Sequence, residues 1–218
     1  MPRSIRFAAI FRIPRTGELD TCAIFFHEHI SMRLFVALDF PDAVRDAIRQ
    51  LVAHLKPVSR AARWVRPEGM HVTLKFLGET DAAKLDAIHR ALAGLESPRP
   101  VEMIFRGLGF FPNERRPRVF WIRVAASPNL ATLATDLERA LTPLGFAPET
   151  RTFVPHLTLA RFESAKGTEP LVRKAKELTS TNFGSTFETE FYLFQSVLKP
   201  SGAEYRRVET FAFVKGTA

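Results

Sequence analysis

The chain has 218 residues, of which 46% are hydrophobic and 25% charged, with 20 Phe. That composition excludes a disordered or collagen-like chain, and the length suffices for one large domain or two small lobes around a buried core. The formal net charge is +8, carried mostly by Arg, the side chain suited to bidentate phosphate contacts and to stacking on bases. A solvated basic surface is the plainer alternative. A single cysteine, Cys22, excludes an internal disulfide and fits a reducing, cytoplasmic setting. No apolar run reaches the roughly 18 residues of a membrane span.

Residues 1–31 differ from the rest of the chain. Arg3, Arg6, Arg12 and Arg15 precede the first acid, Glu18, and the apolar stretch Phe7–Phe11 is too short for a secretory signal. They read as an N-terminal extension of unknown role, and residues 32–218 read as the patterned domain. His27 and His29 of the extension are not read as site residues. Arg33–Asp39 predicts a strand. Pro41-Asp42 opens a helix with Val44, Ile48, Leu51, Val52 and Leu55 at helical spacing. Trp64 and the turn cluster Pro67-Glu68-Gly69 lead into a strand over His71–Leu77. Asp81 caps a second helix that sets Leu85, Ile88 and Leu92 on one face; His54 and His89 fall on polar helix faces and read as solvated. Val101–Gly109 reads as a strand. The loop Phe110–Pro117 sets two aromatics beside Arg115 and Arg116, a composition common in nucleic-acid contacts and equally open to a plain connector.

The second half repeats this order. Arg118–Val124 predicts a strand, and Asn129–Leu144 a helix with Leu130, Leu133, Leu137 and Leu141 on one face. Pro155 fits the first residue of a strand running to Phe162. Lys166–Leu178 reads as a mixed-charge helix. Phe183–Leu198 and Tyr205–Val214 read as long strands joined by a turn at Lys199-Pro200-Ser201-Gly202.

One short pattern occurs twice. His71-Val72-Thr73-Leu74 and His156-Leu157-Thr158-Leu159 stand 85 residues apart (156 − 71), and Arg33-Leu34-Phe35-Val36 precedes Arg118-Val119-Phe120-Trp121 by the same offset. In a strand, residues i and i+2 share a face roughly 6.6 Å apart. Each copy therefore sets an imidazole beside a hydroxyl on one surface and sends Val72 and Leu74, or Leu157 and Leu159, to the other. The repeat points to two similar lobes. Two core strands with satisfied histidines are the bland alternative. If the lobes face each other, one imidazole serves as base and the other as acid near neutrality, and two hydroxyls donate to phosphate oxygens between them. One His per strand is a poor metal set. Neither Gly-x-Ser-x-Gly nor a Gly-x-x-x-x-Gly-Lys-[Ser/Thr] phosphate loop is present.

From Met32 onward the chain resembles the two-histidine phosphoesterase superfamily, and within it the RNA 2′,3′-cyclic phosphodiesterases, also called 2′-5′ RNA ligases. The resemblance rests on Arg33-Leu34-Phe35-Val36-Ala37, on Trp64 ahead of His71-Val72-Thr73-Leu74-Lys75-Phe76-Leu77-Gly78-Glu79, on Pro155-His156-Leu157-Thr158-Leu159-Ala160-Arg161, and on Gly202-Ala203-Glu204-Tyr205. It implies an α+β fold of two pseudo-symmetric lobes. Each lobe is an antiparallel sheet with helices on its outer face, and the active-site groove lies between them. It implies hydrolysis of an RNA 2′,3′-cyclic phosphate to a 2′-phosphomonoester, without metal or other cofactor. His71 matches the proton donor, His156 the proton acceptor, Thr73 and Thr158 the phosphate-binding hydroxyls, and Arg161 a further arginine of the site. Strand parity puts position 161 on the face opposite His156, so Arg161 requires a bulge or a long reach. RNA or oligonucleotide ends are the implied partners, small cyclic nucleotides a further option, and a monomer is expected. The competing readings are 2′-5′ ligation of cyclic-phosphate and 5′-hydroxyl ends, and a nucleotide- or RNA-binding module without turnover.

Overall fold

The computed structural model describes residues 31–200 and 202–214. The expected extension, with Cys22, His27 and His29, lies outside the described residues except for Ser31. Nine strands are described: β1 Ser31–Leu38, β2 Arg63–Trp64, β3 Val72–Asp81, β4 Val101–Phe111, β5 Val119–Ala126, β6 His156–Arg161, β7 Asn182–Glu188, β8 Glu190–Lys199 and β9 Gly202–Ala212. The α-helices among them are α1 Asp42–Leu55, α2 Leu85–Ala93, α3 Asn129–Leu141 and α4 Glu169–Glu177.

The strands form two antiparallel sheets, ordered β3-β1-β8-β9 and β2-β6-β5-β4-β7. The orders superimpose: β3 corresponds to β6, β1 to β5, β8 to β4 and β9 to β7. This is the expected pair of pseudo-symmetric α+β lobes, with one departure from a simple tandem. β4, at the end of the first sequence repeat, lies in the second sheet, and β8, late in the second repeat, lies in the first. The repeats exchange a strand.

The helices form where apolar periodicity demands them. In α1, Val44, Ile48, Leu51, Val52 and Leu55 are buried; in α3, Leu130, Leu133, Leu137 and Leu141 are. Burying each such side chain stabilises by about 1.5–3 kcal/mol. Asp81 accepts a hydrogen bond from Ala83 N at 2.9 Å and starts the turn that leads into α2. Alternation along β1 divides the interior. Leu34, Val36 and Leu38 join the main core, which is continuous through both sheets. Phe35 and Ala37 point the other way and form a second cluster with Tyr192 and Phe194, with Tyr205 packed against it.

Several expected boundaries shift. Phe183–Leu198 is not one strand: it breaks at Thr189, whose carbonyl accepts from Phe213 N at 3.0 Å as the chain crosses between sheets. The helix after β6 begins at Glu169, because residues before it form a turn in which Ala165 O accepts from Thr168 Oγ1 at 2.6 Å. The expected helix over Asn129–Leu144 ends its α-helical part at Leu141, and a 3-10 turn with Pro143 completes it, closed by left-handed Gly145 (φ 87°). Phe110 and Phe111 belong to β4 rather than to the following loop.

Candidate active site

His71 sits one residue ahead of β3, and His156 opens β6. The route to His71 begins in the other lobe. β2 pairs with β6, Trp64 opposite Ala160, and Val65 N donates to Leu159 O at 2.8 Å. The chain then turns through Pro67–Gly69 into β3 of the first sheet. Arg45 fixes this turn: its buried guanidinium donates to Pro67 O at 2.6 Å and pairs with Asp39 at 2.6 Å. The histidine of one sheet is thus aimed by a segment pinned to the other.

The ring of His71 lies in the aromatic cluster, with centroids 4.4 Å from Phe35, 4.9 Å edge-on from Tyr205 and 5.9 Å from Phe194. The close fit continues at Gly69, where a Cβ would come within 2.9 Å of the Tyr205 ring. Loss of water pushes the His71 pKa down to about 4. A hydrogen bond to the Gly69 main chain and the carboxylate of Asp39 act in the opposite direction, and Arg161 and Arg45 add to the lowering.

His156 has a ring of its own making. Phe111 meets it edge-on at 5.0 Å and Trp121 at 6.2 Å. Phe111 stacks on Trp121 at 4.6 Å, and Gly109 leaves room for that indole, since a Cβ there would lie 2.5 Å from it. His156 Nδ1 lies 2.8 Å from Val154 O. Nδ1 donating to that carbonyl leaves Nε2 as the free nitrogen. Burial lowers this pKa as well, and Arg161 contributes in the same direction. One guanidinium therefore acts on both imidazoles. β3 and β6 also approach each other across the cleft.

Thr73 pairs across the sheet with Ala37, and Thr158 with Trp121. Directly opposed residues in antiparallel strands share a face, so both threonines lie on the faces that carry the aromatic clusters. Both are half-buried.

The parity problem at Arg161 is resolved by a bulge. The β5–β6 register slips between Phe120 and Trp121, so Leu159 and Ala160 are both buried in succession and Arg161 emerges on the face of His156 and Thr158. β3 is bulged at the matching place: Leu74 and Lys75 are both buried, and Phe76 emerges on the face of Thr73, opposite Phe35. Residue 76 is 85 positions before 161, so Phe76 is the counterpart of Arg161. Its ring is 64% exposed and supported from behind by Phe35 at 6.0 Å. Sequence reasoning missed Phe76 as a site residue, although the offset of 85 pointed to it. The same slip carries Lys75 inward, where it pairs with Glu138 at 2.6 Å and donates to Ala147 O at 2.9 Å, bracing the segment that leads to His156.

His54 and His89 are elsewhere. His54 is exposed on α1, and His89 on α2 pairs with Glu209 at 2.5 Å. Among the described residues no group of three or more His, Cys, Asp or Glu is arranged to hold a metal ion.

Two antiparallel sheets, each contributing a His-x-Thr face with a bulged continuation, are the arrangement of a two-histidine phosphoesterase. Comparison with known proteins agrees. The family model described as LigT like Phosphoesterase matches twice, over residues 38–121 and 122–205, and the chain belongs to that family. The matched spans are offset by 84 residues; the partners of Thr73 and Thr158, Ala37 and Trp121, are also 84 apart, one fewer than the motifs. An RNA 2′,3′-cyclic phosphodiesterase of Methanothermobacter thermautotrophicus is 33% identical over 183 residues, covering 84% of this chain and 99% of that one. One from Archaeoglobus fulgidus is 36% identical over 181 residues, covering 83% and 99%. Among solved structures, a protein of Thermus thermophilus superimposes with a TM-score of 0.70 at 29% identity, covering 84% and 98% of the two chains. E. coli LigT complexed with 3′-AMP gives 0.67 at 26% identity, covering 84% and 99%.

Proposed function

We propose that the protein hydrolyses the 2′,3′-cyclic phosphate at an RNA end to a 2′-phosphomonoester, with His71 as proton donor to O3′ and His156 as the base that activates water. The observation that carries this reading is the pair of bulged His-x-Thr strands that share one guanidinium. The names of the relatives and the occupancy of E. coli LigT by a small nucleotide support it. Thr73, Thr158 and Arg161 hold the phosphate. The ring of Phe76 offers a stacking surface to the base next to it.

The electrostatics favour these roles. The imidazole with the lower pKa is the stronger acid once charged, and the one displaced less is the stronger base. His71 is pushed down to about 4; His156 is lowered for the same reason but is less enclosed. His71 is neutral in the free protein at neutral pH, so it must gain its proton with the substrate. The phosphate anion supplies the cause: its charge stabilises the imidazolium directly against the loss of water that lowers the His71 pKa most, it also offsets the smaller effect of Arg161, and Asp39 already pulls His71 the right way.

The test is product analysis after incubation with an RNA ending in a 2′,3′-cyclic phosphate. A 2′-phosphomonoester is expected, and turnover should persist in a chelator. Exclusive release of a 3′-phosphate, or no turnover at all, would sink the assignment. Adding an RNA with a 5′-hydroxyl end to the same reaction measures 2′-5′ joining, in which that hydroxyl takes the place of water and the same proton transfers run in the same sense.

A further inference from the structure

Two segments leave the site at the same end of the second sheet, on either side of β5. β4 ends at Phe111, against His156, and β6 ends at Arg161. The loops after them are tied together: Arg118 N donates to Phe111 O at 2.7 Å, Phe162 N to Arg118 O at 2.9 Å, and the Arg118 guanidinium to Glu163 O. Within the β4–β5 loop, Asn113 Oδ1 accepts from Arg115 N at 3.0 Å and Arg116 N at 3.1 Å, which shapes the backbone that presents Arg115. Beyond these ties the two loops and α4 enclose an open depression of about 720 Å³.

The charges lining it are unbalanced. Arg115, Lys166, Arg173 and Lys176 face Glu114 and Glu169. Lys176 is taken up by Glu114 at 2.8 Å. Among the described residues no ion pair engages Arg115, Lys166 or Arg173, and all three are exposed. Three free cations around one hollow repel each other and are stabilised by an anion that spans them. The hollow lies four residues from Phe111 and five from Arg161. At roughly 3.3 Å per residue that is at most about 13–17 Å from the site, a reach of about five nucleotides or fewer at roughly 3.4 Å per nucleotide.

We infer that this depression binds the backbone phosphates of single-stranded RNA upstream of the cyclic end, so that the preferred substrate is an oligonucleotide rather than a mononucleotide. The inference rests on the cyclic-phosphodiesterase reading for the position of the RNA end. Counterion release gives it a measurable signature: each phosphate contact on a single strand contributes a slope of about −0.7 to the log–log dependence of affinity on salt.

The experiment compares the wild-type chain with the Arg115→Ser/Lys166→Ser/Arg173→Ser variant on two substrates, a short labelled oligoribonucleotide ending in a 2′,3′-cyclic phosphate and adenosine 2′,3′-cyclic monophosphate. Anisotropy of a labelled oligoribonucleotide bearing a 2′-phosphate gives affinity against salt. The variant should lose about tenfold or more in kcat/KM on the oligonucleotide and about 2 from the salt slope, with mononucleotide turnover unchanged. Restoring charge with Arg115→Lys/Arg173→Lys should preserve the slope. Equal losses on both substrates, no loss on either, or a wild type indifferent to chain length would each overturn the inference. If the wild type turns over neither substrate, the reading of the catalytic site fails. The anisotropy series then decides the backbone site alone, and it is overturned if the variant binds the strand as tightly as the wild type.

Discussion

The two halves of the site carry the same four-residue pattern in different surroundings. His71 is enclosed by Phe35, Phe194 and Tyr205, and the strand beyond it offers an apolar ring, Phe76. His156 is bordered by Phe111 and Trp121, and the strand beyond it offers a cation, Arg161. Matching bulges place Phe76 and Arg161 at equivalent points of the two faces. Under the proposed mechanism the symmetric part of the repeat would supply two proton-transfer groups, and the asymmetric part would set which is acid, which is base, and which way the substrate lies.

The comparison breaks most visibly at the histidines. His71→Ala and His156→Ala should each slow hydrolysis by about 10²–10⁴-fold. A substrate whose 3′ bridging oxygen is replaced by sulfur leaves as a thiolate and needs little protonation. On it His71→Ala should recover most of its rate and His156→Ala should not. Rescue of His156→Ala instead would reverse the roles, and rescue of neither would mean that the imidazoles bind phosphate without moving protons.

A smaller effect separates Phe76 from Arg161. Phe76→Ala should weaken nucleotide binding by about 1–3 kcal/mol, with inorganic phosphate affinity unchanged, whereas Arg161→Ala should weaken both. Titration calorimetry with 3′-AMP and with phosphate checks this; equal losses of phosphate affinity would end the division of labour.

The mildest test is titration by NMR. Arg161 lowers both imidazoles, so Arg161→Ala should raise both pKa values in the free protein and leave His71 the lower. The sign for stability comes from burial of the neutral ring. The folded value for His71, about 4, lies below the ordinary 6.5, so its contribution is complete above about pH 6.5 and is lost as pH falls toward 4. His71→Phe should flatten that part of the urea-midpoint profile, and an unchanged profile would show that the ring is not desolvated.

Local chemistry makes much of this legible in the sequence. The apolar spacing in α1 and α3 and the alternation of the His-x-Thr strands depend on near neighbours, and the structure keeps them; Asp81 caps the 3-10 turn Ala82–Lys84 just ahead of α2 rather than α2 itself. What escapes depends on partners far away in sequence. A bulge is a mismatch between two strands, so neither Leu159-Ala160 nor Leu74-Lys75 announces it alone. Arg161 is reached only through family resemblance, and Phe76 not at all. The break at Thr189 marks a change of sheet, which no property of Phe183–Leu198 encodes. Phe111 reads as loop because a Pro comes after it, yet its ladder with Val119 keeps it in β4.

The exchanged strand also orders events in time. β1 lies between β3 and β8, so the first sheet cannot close until residues 190–199 have been synthesised. Two of the three rings that desolvate His71, Phe194 and Tyr205, belong to β8 and β9. A ribosome that has released only the first repeat holds a histidine without its housing, beside an unpaired strand edge. Pairings of such long sequence separation form slowly and leave partly folded chains open to aggregation. Until the final hairpin is made, the nascent chain therefore lacks both the housing of His71 and the partner of the β1 edge, and that hairpin supplies the two together.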